Sequence, residues 1–181
     1  EFDSVELWLG SDVSPNFFAW VAPESASKAR IGLATNPHAS KYYEKFLQKR
    51  VGKVFAPDVG GIIRAGLMRE TAAERLMVVG DAACQIKPYS GGGIIYGLMC
   101  AQFCADAALK SLEQKNFNKS FLMENYDKVW KNVLAKGIKR GMLLHKILSS
   151  NKRAIDAMFL TGKIGGKIFN RLDMDLINFF V

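Results

Sequence analysis

Apolar and polar positions alternate from the start of the chain. Val5-Glu6-Leu7-Trp8-Leu9 reads as a half-buried strand that ends at Gly10. Ser14-Pro15-Asn16 marks a turn, Phe17 to Ala22 a second strand closed by Pro23, and Ala29 to Ala34 a third strand after the Ser25–Lys28 turn. Short strands on short turns predict an antiparallel meander, with Trp8, Phe17, Phe18 and Trp20 gathered on one aromatic face. Asn36-Pro37 breaks the pattern, and Ser40 stands where it would cap a helix running from Lys41 to Arg50. Lys53–Phe55 and Gly61–Leu67 read as extended. Leu76-Met77-Val78-Val79 is a continuous apolar run, the mark of a strand buried on both faces. It ends at Gly80-Asp81-Ala82-Ala83. Beyond Lys87-Pro88-Tyr89-Ser90 and Gly91-Gly92-Gly93 the period turns helical, from Ile94 to Leu112. Further helices are expected over Ser120–Lys136, Ile138–Ser149 and Lys152–Phe159, interrupted by Gly137, Gly141 and Gly162.

These elements predict an α/β (α+β) protein in three segments. Residues 1–70 hold antiparallel strands and one helix, 71–115 a strand, loop and helix, and 116–181 a helical region.

Composition adds little to this picture. Apolar residues make up 49% and charged residues 23%, as in an ordinary globular protein, and no apolar run is long enough to span a bilayer. Glu1-Phe2-Asp3-Ser4 has neither the basic nor the apolar stretch of a signal peptide, and the missing initiator Met reads as a cut within a longer protein. Cys84, Cys100 and Cys104 form no C-x-x-C pair and have no histidine cluster nearby, which argues against a disulfide framework or a metal site. Small buried thiols in a reducing cytoplasm are the expectation.

Charge is more informative. Residues 1–109 carry 11 basic and 11 acidic side chains, whereas 110–181 carry 14 and 6, so the whole net charge of +8 sits in the helical tail. Lys128, Lys131, Lys136, Lys139, Arg140 and Lys146 are candidates for peripheral contact with an anionic membrane, with a solvated helix surface as the plainer reading. No zinc-finger, RNP or helix-turn-helix pattern points to nucleic acid. His38 and His145 have no visible catalytic or metal-binding partner in the sequence.

The order of buried strand, Gly-Asp turn, glycine-rich loop and helix suits a ring that gains negative charge. Glycines let the backbone approach closely, the helix N-terminus contributes about half a positive charge, and Asp81 at the strand end can accept hydrogen bonds from a polyol. A reduced flavin meets both demands, with its ribityl hydroxyls and its anionic N1–C2=O edge. The pattern is distinct from the G-x-G-x-x-G phosphate fingerprint.

The stretch from Val79 through Gly80, Asp81, Ala82, Ala83, Pro88, Gly91, Gly92, Gly93 and Ile94 to Gly97, Leu98 and Ala101 closely resembles the second flavin-binding motif of the geranylgeranyl reductase family. Phe18-Ala19-Trp20-Val21-Ala22-Pro23 is similar to that family's Tyr-x-Trp-x-Phe-Pro cavity motif, with Phe18 for Tyr and Ala22 for Phe. Cys84 stands where the family usually has Gly. The likeness covers about residues 5–110 and fits the basic tail only loosely.

The resemblance implies FAD as cofactor and a p-hydroxybenzoate-hydroxylase-like architecture, in which 71–115 returns to a Rossmann-like FAD/NAD(P)-binding domain beside an antiparallel substrate-domain sheet. It implies that Gly80, Asp81, Pro88, Gly91, Gly92, Gly93 and Ile94 hold the flavin, Asp81 at the ribityl chain and the loop amides at the ring. Phe18, Trp20 and Pro23 would line a channel for a polyprenyl lipid or pigment. No residue stands out as the proton donor. The activity implied is reduction of C=C bonds in geranylgeranyl chains. A FixC-like electron-transfer flavoprotein and an FAD monooxygenase or halogenase are the alternatives within the cofactor class. Because the adenine-binding Rossmann loop is missing from this sequence, an inactive fragment that binds FAD weakly is the third reading.

Overall fold

The computed structural model describes residues 4–149. These fall into two compact units, one holding residues 4–61 with 144–149 and the other Ile62–Leu143.

The first unit is built on a three-stranded antiparallel meander in the order β1 (Glu6–Leu9), β2 (Phe18–Ser25), β3 (Lys28–Leu33). Its register pairs Trp8 with Ala19, Leu7 with Trp20, Val21 with Ile31 and Trp20 with Gly32. Paired residues share a face of the pleat, so the aromatics divide. Trp8, Ala19, Val21, Ile31 and Leu33 lie on the face that packs with Val13 and Phe46, and the Trp8 and Phe46 rings meet edge-on at 5.5 Å. Phe18 and Trp20 lie on the opposite face, 5.9 Å apart. The single aromatic face expected from the sequence is thus two faces, because Trp8 is offset by one position of the two-residue period.

Pro23 does not close β2 as expected; the strand runs on to Ser25 with a register shift between Pro23 and Ser25. The β1 pairing ends at Val21, so beyond that point β2 is an edge and the missing N–H of proline costs no ladder bond. Trp20 lies flat across its cross-strand partner: a Cβ built on Gly32 would fall 2.0 Å from Cζ2 of the indole.

Helix α1 (Ala39–Val51) begins at His38, which is left-handed and makes no side-chain cap bond, so Ser40 sits inside the helix instead of capping it. The helix stops at Gly52, whose positive φ lets its N–H reach the carbonyls of Leu47 and Gln48 at 3.2 and 3.1 Å. Phe46 and Leu47 are its buried residues. Arg50 forms a two-point ion pair with Glu6 at 2.8 and 2.9 Å, and Trp8 Nε1 donates to the same carboxylate at 2.9 Å. Those donors hold the Glu6 carboxyl down from its ordinary 4.5 to about 2. A depressed carboxyl pKa gives stability that is complete above the unfolded value and is lost as pH falls through the folded one. The melting temperature of this unit is therefore expected to fall as pH drops from 4.5 to about 2, and Glu6→Gln should flatten that stretch of the profile.

In the second unit, Leu76 and Met77 form only a two-residue strand, β5, paired with β4 (Ala72–Ala73) across a tight turn. The apolar run was expected to be a strand buried on both faces, yet Leu76 is exposed and Met77, Val78 and Val79 are half-buried. Among the described residues no third strand lies beside them. Lys53–Phe55 and Gly61–Leu67 join no sheet.

The helices form the core here. Helix α2 (Ile94–Gln114) buries Tyr96, Cys100, Ala107 and Ser111 along one stripe. Helix α3 (Lys119–Leu122) is capped by the Asn118 side chain, which accepts from Phe121 N–H at 2.8 Å, and leads through a π turn (Met123–Asp127) into α4 (Lys128–Leu148). Leu122, Tyr126, Trp130, Leu134 and Ile138 recur at every fourth position and are all buried in one cluster with Tyr96, Cys100 and Ala107 of α2. Gly137 and Gly141 do not interrupt α4 as expected. Each costs a helix roughly 1 kcal/mol relative to alanine, which the packing of their neighbours overrides. The Lys152–Phe159 helix and Gly162 lie outside the described residues.

Asp127 is a buried carboxylate, 2% exposed. Its Oδ1 accepts from the N–H and the hydroxyl of Thr71, both at 2.7 Å, and its Oδ2 accepts from Lys131 Nζ at 2.7 Å. Trp130 Nε1 donates to the Thr71 hydroxyl at 2.8 Å, and Lys131 also reaches the Arg69 carbonyl at 2.7 Å. Burial pushes the Cys100 thiol up to about 12 and raises Cys104 as well, so both stay protonated and act as packing groups.

Candidate functional site

The Gly-Asp turn and the glycine loop lie together in the second unit. Gly80–Ala83 forms a short 3-10 turn that opens on Gly80 at φ 74 and closes on Cys84 at φ 58, with Cys84 N–H bonded to Asp81 O at 3.0 Å and Gln85 N–H to Gly80 O at 3.1 Å. The next loop folds back on itself: Lys87 N–H meets Gly92 O, and Gly91 N–H meets Lys87 O, both at 2.9 Å. Pro88 is buried beneath it. Gly91 takes a left-handed φ of 71, which suits glycine.

Much of the loop is therefore satisfied internally. The groups left for a ligand are at the start of α2, where the N–H groups of Ile94 and Ile95 have no intrahelical acceptor and no side chain caps Gly93. Asp81 faces this end: a Cβ on Gly93 would lie 2.4 Å from Asp81 Oδ1. An exposed carboxylate thus stands against an uncapped helix N-terminus over a patch of backbone without side chains, and Ile94, 81% exposed, projects beside it. A polyol that donates to the carboxylate, joined to a ring edge that accepts from amides, fits this donor and acceptor set.

Gly80, Asp81, Pro88, Gly91, Gly92, Gly93 and Ile94 accordingly share one locale. The other group lies on β2 in the first unit, where Phe18 and Trp20 share a face while the strand period turns Pro23 to the side of Ala19 and Val21. Sequence reasoning missed Gln85 and Tyr126, which are buried under the turn. A polar residue within an otherwise small and apolar segment was the only signal for Gln85.

Cys84 gains nothing from its position. A side chain in the left-handed region costs roughly 1–2 kcal/mol, and its φ of 58 explains why glycine suits this place. Cys84→Gly is expected to raise stability by about 1 kcal/mol in urea unfolding.

In fold, the chain matches the crystal structure of a geranylgeranyl bacteriochlorophyll reductase-like protein from Thermoplasma acidophilum, with a TM-score of 0.69 at 23% identity over 82% of this chain and 40% of that one. The class is thus the mixed helix-and-strand fold of that protein. In sequence, the chain is 28% identical over 170 residues to digeranylgeranylglycerophospholipid reductase 2 of Methanothermobacter thermautotrophicus, covering 89% of this chain and 44% of the relative. It is 31% identical over 134 residues to digeranylgeranylglycerophospholipid reductase 1 of Methanosphaera stadtmanae, covering 70% of this chain and 33% of the relative. No protein-family model matches. The chain is similar to geranylgeranyl reductases in sequence and in fold, and it spans less than half the length of these curated relatives.

Proposed function

We propose that this chain is part of an FAD-dependent reductase that saturates C=C bonds of geranylgeranyl chains on a lipid. The observation that carries the reading is the Asp81 carboxylate set against the open N-terminus of α2 at Gly93. Asp81 is assigned to accept hydrogen bonds from the ribityl hydroxyls. The Gly91–Gly93 segment gives the flavin ring an approach to backbone without side chains, and the dipole of α2 favours electron density there. Bound and reduced, FAD supplies the hydride for one alkene carbon, while a proton completes the other. Phe18 and Trp20 are assigned to the apolar wall that receives the polyprenyl chain, with Pro23 shaping the strand beyond them.

Relatives named for reduction of a geranylgeranylated glycerophospholipid support this substrate class. Among the described residues no helix is long and apolar enough to cross a membrane. Peripheral contact with anionic headgroups is assigned to Lys136, Lys139, Arg140 and Lys146, since Lys128 and Lys131 are held by Glu124 and Asp127.

The test is to incubate the intact protein with reduced FAD and a geranylgeranylated glycerophospholipid and to weigh the product. A mass gain of one H2 per reduced bond is expected. An unchanged lipid, or oxygen consumption with a hydroxylated product, would overturn the assignment. Gly93→Ala is the companion: its methyl must displace the Asp81 carboxylate. FAD affinity is expected to fall about tenfold, with a smaller drop in melting temperature, because the methyl displaces the end of an exposed side chain and also presses on the buried Ile86 Cγ2 at 3.1 Å.

A further inference from the structure

We infer that Gln85 and Tyr126 are positioning residues that hold the Gly80–Asp81 turn in its flavin-binding form, an inference that rests on the cofactor assignment above. Three hydrogen bonds carry it. Gly80 N–H donates to Gln85 Oε1 at 2.7 Å, Gln85 Nε2 donates to the Tyr126 hydroxyl at 3.0 Å, and that hydroxyl donates to Val78 O at 2.6 Å. Each of the three bonds has one possible polarity. The Gly80 amide can only donate, so the Gln85 oxygen must face it and the Gln85 nitrogen must face Tyr126; the phenol then has its own proton left for the Val78 carbonyl. Both side chains are fully buried, and burial pushes the Tyr126 phenol up, which keeps it a donor.

The bridge grips the backbone on both sides of Val79, at the Val78 carbonyl and the Gly80 amide. Asp81 is the next residue, with its carboxylate seated against Gly93. Gln85 binds the turn a second time, through its own N–H to Gly80 O at 3.1 Å. Tyr126 reaches it from the π turn, and the neighbouring Asp127 turns inward as well. In a regular α-helix adjacent side chains point about 100° apart. The widened turn lets Tyr126 serve the site while Asp127 binds Thr71, and such turns recur at functional places.

The experiment uses Tyr126→Phe, which keeps the ring in the core, Gln85→Met, which keeps the length of the side chain, and the double variant. Amide exchange at Gly80 and Asp81 is measured without ligand, and FAD affinity is measured by flavin fluorescence well below the melting temperature. Each single variant is expected to speed exchange at the turn about tenfold and to weaken FAD binding by a similar factor. The double variant should be no worse than the more severe single one, since either change breaks the same chain of bonds. Unchanged exchange at the turn overturns the inference even if FAD still binds. So does faster exchange with unaltered FAD affinity, or a double variant whose effects multiply. A wild-type protein that binds no FAD, with the exchange pattern as expected, brings down the cofactor assignment and this inference together.

Discussion

Asp127→Ala is expected to lower the stability of the Ile62–Leu143 unit by about 3–5 kcal/mol, the usual cost of breaking a buried ion pair by removing one partner. The carboxylate is 2% exposed and accepts from three donors: the Thr71 amide, the Thr71 hydroxyl and the Lys131 ammonium. Alanine removes the shared acceptor from all three in a space that water enters poorly. The Thr71 amide loses its partner outright, while Lys131 keeps the Arg69 carbonyl at 2.7 Å and the face of Trp130 at 5.6 Å. Asp127→Asn separates charge from hydrogen bonding, because its carboxamide oxygen can still accept from Thr71. A loss of about 1–2 kcal/mol is expected there. Urea unfolding followed by far-UV circular dichroism reads both variants. Equal stability of Asp127→Ala and the wild type would show that the network holds nothing.

That network shows where sequence reading ends. Asp127 and Lys131 stand four apart on a helix, and the spacing alone suggests an exposed pair. Nothing local reveals that Thr71, 56 residues earlier, brings its amide and hydroxyl to the same oxygen. The basic residues of α4 were legible as charge but not as partners: Lys128 and Lys131 are held in ion pairs, while Lys136, Lys139 and Arg140 remain exposed. The Gly-Asp turn and the glycine loop were legible because their chemistry is local. Turn, glycines and helix start follow one another within 15 residues from Gly80 to Ile94. The bracing under that turn was not, because Tyr126 lies 41 residues from Gln85. Strand existence in the meander followed from alternation, whereas the facing of Trp8 depended on register, which a one-residue offset reverses. The short β5 strand departs from its apolar run for a related reason: such a run reports burial, and the burial here comes from helices.

Gly32→Ala carries the second large effect, and it tests the aromatic face of β2 directly. Gly32 pairs with Trp20 across the sheet, and the indole occupies the volume that a side chain would take. An ideal Cβ would fall 2.0, 2.3 and 2.7 Å from Cζ2, Cε2 and Cη2 of the ring. No real contact survives at such distances, and an indole cannot fold away as a flexible chain does. Either Trp20 swings off the sheet or β3 shifts, and overpacking of this kind costs about 1–3 kcal/mol. Losing the flat seat also separates Trp20 from Phe18, which it meets at 5.9 Å in a T-shaped contact. The expected results are a lower urea midpoint, a red shift in tryptophan emission and a weaker near-UV signal. Gly60→Ala is the matched control, since a Cβ there would meet nothing within 4 Å, and its stability should stay within about 0.5 kcal/mol of the wild type. If Trp20 also forms the wall of a prenyl channel, Gly32→Ala should weaken lipid binding more than its loss of stability accounts for. A variant with unaltered emission and midpoint would mean that the indole does not rest on Gly32, and the aromatic wall assigned to β2 would lose its geometric basis.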